Sequence, residues 1–218
     1  MTSYPRSPRL IKGGIVLLDP NSGAIRRVIA LQYNPDTLSR TLAVQAAGGE
    51  GDRLEAMRLK GPPSETIKLD AEIDATDQME LPEQNRLVGE FGIFPQLAAL
   101  ETIVYPTSAS LQASNGLAQA GTLEIAAAET ELTVFVWSKS RVMPVRITDF
   151  SITEEAFDPN LNPIRAKISL GMRVLSVNDL GFGHKGGGLF MAYLQNKEQL
   201  AARSAGAAFS TLGIGGIG

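Results

Sequence analysis

The sequence predicts a mainly β, α+β domain: a β-barrel or two packed antiparallel sheets with one flanking helix. Three observations lead there. Residues 164–174 alternate strictly, with Ile164, Ala166, Ile168, Leu170, Met172 and Val174 on one face and Arg165, Lys167, Ser169, Gly171 and Arg173 on the other. Residues 66–74 repeat the pattern, with Ile67, Leu69, Ala71 and Ile73 set against Lys68, Asp70, Glu72 and Asp74. A period of two is the signature of a strand with one face buried. Between them, Leu87, Phe91, Phe94, Leu97, Leu100 and Val104 recur every three or four residues, a single helical stripe. Strands, one helix, then strands is an order that disfavours a parallel βαβ sheet.

Taken in order, residues 1–12 carry two prolines and few apolar groups, which describes a flexible arm. Ile15–Leu18 and Val28–Tyr33 are β-rich runs joined by the turn cluster Asp19-Pro20-Asn21-Ser22-Gly23, a hairpin. Tyr33, Asn34 and Pro35 end the second run, because proline lacks the ladder donor and restricts the residue before it. Leu38, Arg40, Leu42 and Val44 suggest another short strand, and residues 45–62 an exposed loop. Gly92 and Pro95 are expected to split the helix of residues 83–104, and Pro106 to close it. Residues 107–130, rich in Ser, Ala, Gly and Asn, read as a long loop. Leu132–Trp137 is apolar on both faces, as a central or interface strand would be. Arg141–Ile152 is its partner, and Asp158–Pro163 is a turn into the long strand. Eleven residues from 164 to 174 span about 36 Å, long for a strand. The expected organisation is an arm over 1–12, a β domain over 13–180, and a glycine-rich linker, short helix (189–203) and tail over 181–218.

Composition excludes several chemistries. The chain has no cysteine and one histidine, His184, which removes disulfides, thiol nucleophiles and Cys/His zinc sites. A net charge of −3 gives no general attraction to nucleic acid or anionic lipid. No apolar run is long enough to span a bilayer, and the basic N-terminal segment lacks the apolar core of a secretory signal. Synthesis in the cytoplasm is the expectation. Gly181–Gly186 spells G-x-G-x-x-G, but a dinucleotide fold needs it at the first turn of a βαβ unit, and too little chain follows it here. Asp70, Asp74 and Asp77, then Glu154, Glu155 and Asp158, are two carboxylate groups; solvated faces and salt bridges explain them better than a glycosidase pair or a cation site. Trp137 suits a core or subunit contact better than a stacking platform. The basic stripe of Arg165, Lys167 and Arg173 lacks the interleaved aromatics of a nucleic-acid site. No catalytic residue, metal or cofactor is expected.

Three segments, QYNPDTLSR (32–40), GPPSETIKLDAEIDATD (61–77) and VFVWSKSRVMPVRITDFSITEEAFDPNLNPIRAKISLGMRVLSVND (134–179), resemble the tube-domain family of bacterial contractile injection systems, which are phage-tail-like particles. The nearest likeness within it is to the baseplate hub or tube initiator. The resemblance covers roughly residues 10–180. It implies a tube-type barrel or sandwich, six-fold rings, and sheets of neighbouring subunits joined around a channel. The partners it implies are further copies of the chain in a hexamer, the spike protein, the inner-tube protein and other baseplate proteins, with no nucleic acid and no membrane insertion. Hub proteins of this family often carry a C-terminal lysin-motif module, and the glycine-rich residues after Asn178 do not resemble one. Tyr33, Asn34, Pro35, Val134, Val136, Trp137, Arg165, Ile168 and Leu170 are the expected core and subunit-contact positions. A main inner-tube protomer is the alternative within the family. Outside it, a β-sandwich ligand-binding module using Trp137 ranks next, ahead of an enzyme.

Overall fold

The structure is a computed structural model and describes residues 11–46, 58–81, 83–121 and 130–217. Seven antiparallel strands form one sheet in the order β2-β1-β5-β6-β7-β4-β3. β1 (Gly14–Leu18) and β2 (Ile25–Ala30) form the first hairpin. Asp19 builds its turn: one carboxylate oxygen accepts from the Asn21 and Ser22 amides at 3.1 and 2.8 Å, the other from Arg26 at 2.6 Å. Those bonds, led by the Ser22 amide, hold the Asp19 carboxyl well below the usual carboxylate range.

β6 (Arg141–Phe157) organises the rest. Its first residues pair with β5 (Leu132–Ser138), and from Val145 onward it pairs with β7 (Pro163–Val174). A bulge between Ile147 and Asp149 bends it. β4 (Ser64–Asp74) continues the sheet beyond β7, and β3 (Leu38–Ala43) covers only the first half of β4. The mainly β prediction holds, and the sheet folds over a core without closing into a barrel, since β2 and β3 end it unpaired among the described residues. The gap beside β2 is bridged by side chains. The Gln32 amide donates to the Asp74 carbonyl at 2.6 Å and accepts from the Asp74 amide at 2.9 Å, taking the place of a neighbouring strand.

The core lies where the alternations place it. Ile67, Leu69, Ala166, Ile168, Leu170 and Met172 are buried against Ile15, Leu17 and Phe135. Helices α2 (Arg86–Phe91) and α3 (Phe94–Glu101) sit over them, with Leu97 and Leu100 inward. The split falls at Gly92, where φ is +59° and a Cβ would lie 2.1 Å from the Pro163 carbonyl, so only glycine fits. Pro95 stands in the first turn of α3, where no amide is needed.

The helical content exceeds the single flanking helix expected. Two four-residue turns, α1 (Thr76–Met79) and α5 (Val177–Leu180), cap strand ends. Ser108–Gln119, read as loop, forms α4; Thr107 caps it by accepting from the Ser110 amide, and its small polar residues carry no apolar stripe to announce it. The glycine linker is instead the start of a helix: α6 spans Lys185–Ala202 and buries Phe190 and Tyr193 in the core. Its glycines permit close packing, since a Cβ on Gly187 would fall 1.9 Å from the Gly181 carbonyl. His184 is the N-cap, its Nδ1 accepting from the Gly186 amide at 3.0 Å. The expected arm (except Ile11 and Lys12) and most of the 45–62 loop lie outside the described residues.

Leu170, 2% exposed, tests this packing. Leu170→Ala is expected to lower the unfolding free energy by about 2–5 kcal/mol in urea titration, whereas Leu161→Ala in the β6–β7 turn stays within about 0.5 kcal/mol.

Candidate assembly interface

The sheet leaves one long edge open. β5 pairs with β6 only as far as Pro144, so Arg146–Phe157 has β7 on one side and, among the described residues, no strand on the other. Register shows which groups face that edge. The Ile164 carbonyl accepts from Ala75 at 3.0 Å, on the β4 side of β7. By antiparallel alternation, Arg165, Lys167 and Ser169 then direct their backbone towards β6, onto Glu155, Thr153 and Ser151. Phe150, Ile152 and Glu154 therefore aim their amides and carbonyls outward.

An apolar trough runs beside this edge. Ile147, Phe150 and Ile152 face the inner side of the sheet in register with Met172, Leu170 and Ile168, yet each is only partly buried. Val104 and Tyr105, after α3, form the opposite wall of a cavity of about 590 Å³. It adjoins a second of about 840 Å³ that shares Val104 and Ile147 and continues to Leu132, Val145 and Leu180. Among the described residues β3, like β2, is unpaired on its outer side. Its inward-phased Leu42 and the following Val44 are 46% and 69% exposed.

The outer face of the sheet is charged but internally balanced. Arg165 lies 3.3 Å from Glu155 and 4.0 Å from Asp74; Lys167 lies 2.9 Å from Glu155; Arg173 lies 2.8 Å from Asp179. The basic stripe is thus neutralised by its own chain. The Lys167 hydrogen bond, ahead of the burial that opposes it, keeps Glu155 below the ordinary carboxylate range.

The expected contact positions do not come together in one place. Ile168 and Leu170 are in the main core. Val134 and Val136 lie on the other face of β5, under Leu180 and Leu189 of α5 and α6, so β5 is covered on both faces by its own chain. Trp137 stacks on Phe135 at 6.0 Å and closes over Gly13. Tyr33, Asn34 and Pro35 form the connector from β2 to β3. The Asn34 side chain accepts from the Gly13 amide at 2.9 Å and donates to the Ile11 carbonyl at 2.8 Å, fixing the chain's entry to β1. With Asp36, Asp70 and Glu72, the connector lines a polar cleft of about 550 Å³. Arg165 is apart from all of these, in the ion-pair ladder. Among the described residues no cluster of three His, Asp or Glu is arranged to hold a metal, and no helix is long and apolar enough to cross a membrane.

One buried polar cluster escaped the sequence reading. Glu65 of β4 is 4% exposed, in phase with Ile67 and Leu69. It accepts from Arg40 at 2.7 Å, from the Tyr193 hydroxyl at 3.0 Å and from Lys197 at 2.9 Å. The cluster ties β3, β4 and α6 together. Its only sequence signal is a charge standing in the inward phase of an alternating strand. Burial pushes the Glu65 carboxyl up, but the bonds from Lys197 and Arg40 outweigh it and hold the group below its ordinary value. Burial pushes the Tyr193 hydroxyl up, so it stays a neutral donor.

No family model matches the chain, and no curated protein does. Among solved structures, a chain of "Tail of empty GTA particle computed with helical refinement, C6 symmetry" aligns with a TM-score of 0.27 at 12% identity, over 74% of this chain and 90% of that one. Similarity at that level establishes neither fold nor function.

The Glu65 cluster has a pH signature. Its folded value lies below the ordinary 4.5, so its contribution is complete above that pH and is lost as pH falls through the folded value. Glu65→Gln is expected to cost about 2 kcal/mol at pH 7, less than a fully buried pair because Arg40 and Lys197 reach solvent, and to flatten the acid limb of stability. Urea unfolding between pH 3 and 7 measures both; parallel acid limbs in the two proteins would remove Glu65 as the source.

Proposed function

We propose that this chain is a non-enzymatic structural subunit of a bacterial phage-tail-like contractile particle, forming a ring by self-association. The observation that carries the reading is the pair of unlike free edges. The β6 edge presents backbone groups above an apolar trough, and the β3 edge presents Leu42 and Val44 in the phase that fills one. Adding an extended strand to a sheet edge gains main-chain hydrogen bonds, and alternate side chains enter the groove. Because the two edges differ, the contact is head-to-tail, and a fixed rotation per copy closes a ring in which neither of these two edges is left exposed.

The three segments that resemble the tube-domain family supply the finer part: a hub or tube-initiator hexamer seated between the spike and the inner tube, with other baseplate proteins around it. In that role the ring acts as a template, one rim matching the spike and the other starting the tube. An inner-tube protomer is the second reading. It shares the ring contact and differs in copy number, so quantitative mass spectrometry of sedimented particles separates a few copies per particle from scores.

Glu154→Pro tests the ring. Its amide faces the open edge, so proline removes an outward donor while sparing the β6–β7 ladder. Full-length chain is expected to sediment as a closed multimer with rings in negative stain. The variant is expected to keep its β-sheet circular dichroism and sediment as a monomer. A wild-type chain that stays monomeric at every concentration, or a variant that still forms rings, refutes the edge pairing.

A further inference from the structure

The seam between β2 and β4 holds a cavity that the ring contact does not use. β3 covers β4 only as far as Leu69, so Asp70–Asp74 has β7 on one side and, among the described residues, no strand on the other. The outer side of β2 lies across from that stretch, and Gln32 spans the end of the gap to Asp74. The Leu31 amide bonds the Gly13 carbonyl at 2.9 Å, so by antiparallel alternation Val28 and Ala30 aim their backbone groups away from β1, into the seam. The Asp74 amide and carbonyl meet the Gln32 side chain, so those of Glu72 point into the seam from the other wall.

Between these walls and α3 the cavity measures about 340 Å³, within the range of about 300–1,000 Å³ that small-molecule sites occupy. Ile29, Leu31, Ile73, Leu100, Ile168 and Leu170 make its lining largely apolar. One group there is out of keeping. Gln96 stands in the first turn of α3 beside Pro95, and its side-chain oxygen is enclosed by protein yet accepts no hydrogen bond among the described residues. An enclosed acceptor without a donor is unfavourable and uncommon, and an occupant that brings the donor removes the deficit. No free charge faces such an occupant. Arg27 is engaged with the Ala99 carbonyl at 3.2 Å and the Thr102 hydroxyl at 3.0 Å, and Glu72 is exposed and borders the polar cleft on the outer face. A charged head would therefore enter without a counter-charge.

We propose that this cavity binds a small neutral molecule with an apolar body and one hydrogen-bond donor, the donor meeting the Gln96 side-chain oxygen. The lining sets the apolar body, the lack of a facing charge sets neutrality, and the enclosed acceptor sets the donor. The site goes beyond the ring reading and is independent of it, because none of its lining residues belongs to the β6 or β3 edge.

Two fluorinated compounds that differ by one oxygen test it. 4-Fluorobenzyl alcohol and 4-fluorotoluene are titrated into the full-length protein, and binding is followed by fluorine NMR. A hydroxyl favours water, so an apolar cavity without an acceptor selects the toluene. Gln96→Leu is expected to shift the ratio of the two dissociation constants at least about tenfold towards the toluene relative to wild type. In the wild-type protein the Gln96 side-chain amide resonances, assigned by their loss in Gln96→Leu, are expected to move with the alcohol and stay in place with the toluene, a readout that needs no folded variant beyond that assignment. Gln96 also borders a cavity of about 610 Å³ beside α2, so the filling variant is taken from the seam alone: Ile73→Phe is expected to abolish binding of both compounds while keeping the circular dichroism of wild type. No binding of either compound by wild type, an unchanged ratio in Gln96→Leu, amide resonances that ignore the alcohol, or binding that survives Ile73→Phe overturns the proposal.

Discussion

The architecture depends on β6 changing partners at Pro144–Val145. A sheet folds over a single core only if some strand serves both halves, and β6 is the one long enough to do so. Its first residues extend the β2-β1-β5 half, and the remainder founds the β7-β4-β3 half. Leu175 donates to the Pro144 carbonyl at 2.9 Å, so the crossover point is itself pinned to the end of β7. Everything beyond it follows: the core lies in the fold, α3 and α6 cover its openings, and β6 runs on past β5 with one side bare. The open edge is the geometric consequence of a strand that outlasts its first partner.

Covering the openings needs unlike devices because they differ chemically. Between β2 and β4 the gap exposes strand backbone, and an amide side chain, Gln32, supplies both a donor and an acceptor to Asp74. Arg27 adds a second tie, donating to the Ala99 carbonyl at 3.2 Å and the Thr102 hydroxyl at 3.0 Å, which fastens the edge of β2 to α3. At the far end of β4 the covering element is a helix, and Glu65 holds it. A buried carboxylate is costly alone, and three donors converging on it from β3 and α6 offset that cost. The lock is therefore directional: it fixes where α6 lies along β4, which burial of Phe190 and Tyr193 alone would leave free to slide.

What was legible in the sequence tracks how differently the two faces of each element are solvated. β4 and β7 separate a dry face from a wet one, so their alternation shows residue by residue. β5 is dry on both faces and reads as central. The end of β6 is wet or half-wet on both, so Arg141–Ile152 reads as a shorter strand than it is. α4 packs on little and has no stripe, and α6 hides its apolar positions behind Gly186, Gly187 and Gly188, which look like a hinge until the Gly181 carbonyl is seen to require a glycine at 187. Glu65 was in plain view but one position before the alternation becomes clear. The basic stripe of β7 was visible as charge, while its neutralisation by Glu155 and Asp179 depends on register and turn geometry that no local pattern encodes.

On the proposed reading, the groups available for association are the backbone amides and carbonyls of β6 and β3, which demand a fixed register and angle and so set the closure. That demand arises from one strand that runs past its partner. From Arg146 onward β6 has no strand on its outer side among the described residues, and its inward-facing Phe150 and Ile152 stay half-buried until one is supplied. Backbone pairing and the filling of the trough therefore come from the same event, because alternate side chains of an added strand enter the groove as its main chain joins the ladder.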